Sequence, residues 1–79
     1  MKIRLHSTED IDRLVKFTTK HSECNFDIAK GSYVVDAASY LGVLSLDTSS
    51  ELDLIVHGAS ADVTKAEMEL REQFDCKFA

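Results

Sequence analysis

Lys2 to His6 alternates polar and apolar side chains, with Ile3 and Leu5 on one face, and a period of two predicts a half-buried strand. Ser7-Thr8-Glu9-Asp10 follows, an N-cap candidate ahead of acids that suit the positive end of a helix dipole. Ile11, Leu14, Val15 and Thr18 then recur at helical spacing, which predicts a helix from about Thr8 to His21. Cys24, Phe26 and Ile28 alternate with Asn25, Asp27 and Ala29 to give a second strand. Lys30-Gly31-Ser32 reads as a turn into Tyr33-Val34-Val35, so the two runs form a hairpin. Further on, Glu51 to His57 places Leu52, Leu54 and Val56 on one face of another strand. Gly58-Ala59-Ser60 ends it, and Ser60 with Asp62 resembles the start of a last helix. That helix runs from about Ala61 to Phe74, with Val63, Ala66, Leu70 and Phe74 facing inward.

Between the hairpin and the last strand, Asp36 to Leu46 opens on small residues and turns strongly apolar at Tyr40, Leu41, Val43, Leu44 and Leu46. A helix of about two turns buries only one stripe and depends on tertiary packing for its stability. An exposed subset is therefore expected. Tyr40, Leu41 and Leu44, at i, i+1 and i+4, lie along one side, while Val43 and Leu46 share the buried side. The exposed side is read as a docking patch for other proteins or for self-association, beside Ser39 at the helix start.

The element order is thus β-α-β-β-α-β-α. It predicts one α+β domain over residues 1–79, a four-stranded antiparallel sheet with three helices on one face. The apolar fraction of 44% is that of a folded chain. A net charge of −5 with no Lys/Arg cluster argues against nucleic acid and anionic membranes as partners. No apolar run approaches the ~20 residues of a membrane span, and Met-Lys-Ile-Arg-Leu-His lacks the apolar stretch of a secretion signal, which predicts a cytoplasmic protein. Cys24 and Cys76 do not form a disulfide framework; Cys24 reads as a buried small hydrophobe and Cys76 as more exposed.

The run Ala38, Ser39, Tyr40, Leu41, Gly42, Val43, Leu44, Ser45, Leu46, Asp47 resembles the regulatory-serine helix of the HPr family, the phosphocarrier proteins of the bacterial sugar phosphotransferase system. The family pattern there is Lys-Ser-Ile-Met-Gly-Val-Met-Ser-Leu-Gly. The resemblance covers about Ile28 to Gln73, and it implies the family's open-faced sandwich, protein partners at Tyr40, Leu41 and Leu44, and Ser39 as a regulatory phosphorylation site. The family's phosphoryl-accepting segment, Gly-Leu-His-Ala-Arg-Pro-Ala, is missing. In its place stands His6-Ser7-Thr8-Glu9-Asp10-Ile11-Asp12-Arg13, with three acids where a phosphate would sit.

His6 is the one histidine near that segment and the weak candidate for a phosphoryl acceptor, with Arg13 as the cation that would support it. The plainer reading is an exposed residue at a strand end. His21 and Cys24 have a His-x-x-Cys spacing, but His21 near a helix C-terminus is more simply a dipole partner. No metal, cofactor or catalytic constellation is expected. The sequence therefore predicts a non-enzymatic, HPr-like regulatory or adaptor protein that binds partners, phosphotransferase-system components among them, around Ser39. The alternative is a divergent phosphocarrier using His6.

Overall fold

Ser7 caps the first helix as its sequence position predicts, its hydroxyl accepting the backbone N–H of Asp10. Around that helix the computed structural model, which describes residues 1–77, lays out eight elements. They are β1 (Lys2–Arg4), α1 (Thr8–Lys20), β2 (Asn25–Lys30), β3 (Tyr33–Asp36), α2 (Tyr40–Leu44), β4 (Leu52–His57), α3 (Ser60–Gln73) and β5 (Asp75–Lys77). The strands form one antiparallel sheet in the order β3-β2-β4-β1-β5.

Register explains which face is covered. Ile28 lies opposite both Val35 and Leu54, and Ile3 lies opposite both Leu52 and Cys76. These side chains share one face and join Ile11, Leu14 and Phe17 of α1, Val43 of α2, and Ala66 and Leu70 of α3 in a single core. The other face is mixed: Lys2 meets Asp53 at 2.6 Å and His57 meets Asp27 at 3.1 Å, with Ala29, Val34 and Ile55 among them. An open sheet with one apolar face needs a helical layer on that face, and all three helices contribute to it.

The sheet has five strands, not the four expected. The addition, β5, pairs with β1 and turns only Cys76 onto the covered face, with Asp75 and Lys77 on the open one. Three residues with one inward side chain are too few to show a period. The last helix also starts differently, since Ala59 rather than Ser60 holds the N-cap position and gives no side-chain cap. Of the residues expected inside, Ile3, Leu5, Phe26, Ile28, Leu52, Leu54, Ala66 and Leu70 are buried, while Val56 and Val63 are half-buried. Val56 lies beyond the reach of β1, which pairs with β4 only at Asp53 and Leu52. No helix among the described residues is long and apolar enough to cross a membrane.

Candidate functional site

The short helix α2 is held by two local devices. Ser39 adopts extended backbone at the N-cap and its hydroxyl accepts the Gly42 N–H at 3.1 Å. Gly42 leaves room for this cap: a Cβ there would stand 3.1 Å from Ser39 Oγ and 3.2 Å from Ser39 Cβ, a tight fit that the capping side chain would have to yield to by a few tenths of an ångström. The glycine thus leaves the capping side chain of Ser39 undisturbed.

From this anchored turn Val43 points into the core and is fully buried, and Leu46 is nearly so. Leu41 is 78% exposed and Leu44 41% exposed, so two of the three expected patch residues face solvent. Tyr40 departs from the expectation, being half-buried and packed against the core. The reason is helical geometry, because Tyr40 lies three residues before Val43 and shares its buried stripe. Acids flank the patch in sequence, Asp36 before α2 and Asp47 after it, and no Lys or Arg occurs between Gly31 and Thr64. The Asp47 carboxyl is held below its ordinary pKa by the Ser49 hydroxyl and the Ser49 amide, with Lys30 adding a smaller pull.

Two clefts flank the C-terminal end of α2, and Leu46 and Asp47 line both. One, of about 550 Å³, lies toward the hairpin between Lys30, Tyr33 and Val35. The other, of about 510 Å³, lies toward the start of α1 and includes Leu5, His6, Ile11 and Leu44.

His6 borders the second cleft with an exposed ring whose Nε2–H donates to the Asp75 carboxylate at 2.8 Å. Its own backbone N–H donates to Asp10 at 3.0 Å. Arg13 does not support it, contrary to the expectation. That guanidinium bonds Asp10 at 3.1 Å, donates to the Gln73 carbonyl at 2.6 Å, and lies 4.6 Å over the Phe74 ring. The end of α3 and β5 together therefore draw the cation away and supply a carboxylate instead. Asp75 is a site residue that sequence reasoning missed, because its pairing with β1 decides its place.

His21 closes α1, as its position predicts, and also does more. Its Nδ1 lies 2.9 Å from the Phe17 carbonyl and its Nε2 2.5 Å from Glu69 of α3, while its ring stacks on Phe17 at 4.0 Å. Burial opposes the charged ring, but the Phe17 carbonyl, the Glu69 carboxylate and the Glu23 charge outweigh it and raise the pKa of His21. Cys24 is buried and Cys76 half-buried; burial raises both thiols, Cys76 to about 11, so neither is an activated nucleophile. Among the described residues no group of three or more His, Cys, Asp or Glu is placed to hold a metal.

No family model, curated protein or solved structure matches the chain.

Proposed function

We propose that this chain is an HPr-like cytoplasmic binding module. It acts through α2 as a regulatory or adaptor protein, without enzymatic activity and without a phosphocarrier role. The observation that carries the reading is the pair Leu41 and Leu44, exposed on a helix whose Ser39 cap and buried Val43 fix it in place. A preorganised apolar pair exposed beside a cleft is suited to a partner's apolar side chain, since little order has to be gained on binding. The acids Asp36 and Asp47 favour a partner whose contact surface has a basic rim. Ser39 is the place for regulation, because an anion at a helix N-cap is tolerated by the helix yet changes the charge beside the patch. The element order from β1 to α3 and the residues around Ser39 support the family relationship.

A second reading, a divergent carrier using His6, has one observation in its favour. Asp75 accepts Nε2–H, which leaves the lone pair of a neutral ring on Nδ1 as a nucleophile. The same carboxylate, with Asp10 beside the backbone of His6, repels a transferred phosphoryl group, so the binding module is the preferred reading.

Titration of the isotope-labelled chain with the purified general phosphotransferase enzyme, followed by amide chemical shifts, tests this. Shifts centred on Leu41, Gly42 and Leu44 are expected. Shifts centred on His6 and Asp75 and sparing α2 support the carrier instead, and absence of shifts removes this enzyme as the partner.

A further inference from the structure

Lys30 and Tyr33 face each other at the hairpin end of β2 and β3, and register puts both on the side of the sheet that carries Ile28 and Val35. The helical layer does not cover Tyr33, which is 74% exposed although its side of the sheet is the packed one. Val35, two positions on, lies against the core. Beyond α2 the chain passes this corner as Ser45, Leu46 and Asp47, and a cleft of about 550 Å³ stands between the hairpin and that turn. Small-molecule sites occupy roughly 300–1,000 Å³, so the cleft has the size of one. Its lining divides by chemistry. Tyr33, Val35 and Leu46 offer apolar surface, Lys30 and Asp47 carry opposite charges, and Ser45 supplies a hydroxyl.

One loop holds the two charges in place. Ser49 gives its N–H, at 3.0 Å, and its hydroxyl, at 2.6 Å, to Asp47 Oδ1. Oδ2 of the same carboxylate accepts no hydrogen bond among the described residues. The next residue, Ser50, accepts from Lys30 Nζ through its hydroxyl oxygen. Among the described residues neither Lys30 nor Asp47 belongs to an ion pair, with each other or with any other side chain. Lys2, Lys16 and Lys77, by contrast, all meet carboxylates. The Ser45 hydroxyl donates to the Gly42 carbonyl at 2.6 Å, so its lone pairs remain to accept. Two unpaired opposite charges, each oriented by a serine of one loop, thus border a single partly apolar cleft.

We propose that this cleft binds a free α-amino acid with an apolar side chain. Its ammonium group donates to Asp47 Oδ2 and the Ser45 hydroxyl, its carboxylate accepts from Lys30 Nζ, and its side chain lies on Tyr33, Val35 and Leu46. Charge complementarity decides the class. A carboxylic acid alone would bring a like charge beside Asp47, and an amine alone would do so beside Lys30. A zwitterion pairs both groups and adds no net charge. The hydrogen bonds at its two ends are charge-assisted, the strong kind. Because the loop already orients Lys30 and Asp47, binding has little order to impose on them. Tyr33 gives an aromatic side chain a ring to stack on. Neither Leu41 nor Leu44 lines this cleft, so the site does not rest on the function proposed above.

Shift mapping of the isotope-labelled whole chain with L-phenylalanine tests it, at up to about 10 mM, well above a dissociation constant of about 1 mM. Saturable shifts are expected at Tyr33, Val35, Leu46 and Asp47. Lys30→Met and Asp47→Asn should each raise the dissociation constant about tenfold, the effect of losing a hydrogen bond to a charged group, with circular dichroism unchanged. Hydrocinnamate, which lacks the ammonium, and phenethylamine, which lacks the carboxylate, should bind the parent chain about tenfold more weakly, a comparison that no folding defect can affect. Glycine, with both charges and no side chain, should also bind more weakly. Absence of saturable shifts with L-phenylalanine would overturn the proposal. So would either singly charged analogue, or glycine, binding as tightly as L-phenylalanine, and so would binding unchanged in both folded variants.

Discussion

His21 at the end of α1 and Glu69 in α3 meet at 2.5 Å, while the other ring nitrogen of His21 faces the Phe17 carbonyl. Both partners are acceptors, so both ring nitrogens donate only when the imidazole is protonated. The charged ring is thus what ties α1 to α3, stacked on a phenylalanine that also meets Phe26 and Phe74 edge-on.

A pH dependence follows from this. The folded-state pKa of His21 is raised, so its contribution to stability is fully present below the ordinary histidine value of about 6.5. It is lost as pH rises through the folded-state value. The melting temperature should fall across that interval, and Glu69→Gln should flatten the fall. A melting temperature that is constant, or that rises over the same interval, contradicts the assignment.

Leu54 is fully buried where β4 pairs with β2, opposite Ile28. Leu54→Ala should cost about 2–5 kcal/mol in denaturant unfolding, a large share of the stability of a small domain. A loss below about 0.5 kcal/mol, the range of surface substitutions, would place the core elsewhere.

Ser39 and Gly42 form one unit. Ser39→Ala removes the cap and should cost about 1 kcal/mol, whereas Ser39→Asp keeps a capping oxygen and should cost only a few tenths. Gly42→Ala should not bring its usual helix gain of about 1 kcal/mol, because the new methyl crowds the capping side chain. Equal stability of all three variants in chemical denaturation contradicts this account of α2.

Much of this was legible in local periodicity and some of it was not. The exposed Leu41 and Leu44 and buried Val43 follow from how few side chains a five-residue helix can bury. Tyr40 does not share the exposed side of Leu41, because its spacing of three from Val43 binds it to the core. Strand β5 left almost no local signal, and Asp75 became a partner of His6 only through pairing with β1. Arg13 is placed by the end of α3, sixty positions away in the chain, which no window around α1 contains.

The carboxylates around His6 make a chemical forecast. Incubated with the general phosphotransferase enzyme and labelled phosphoenolpyruvate, the chain should acquire no acid-labile label. Label that disappears in His6→Ala would establish the carrier reading, and Asp75→Asn would then be expected to alter its rate.

The claim on which most depends is that α2 presents Leu41 as a docking residue. Leu41→Asp places a charge on a side chain that is mostly in water, so circular dichroism and melting should match the parent chain. Titration calorimetry against the partner identified by shift mapping should show binding weakened by about 2 kcal/mol or more, the loss typical of an anchor residue. Binding that survives Leu41→Asp unchanged, in a chain that remains folded, contradicts the account.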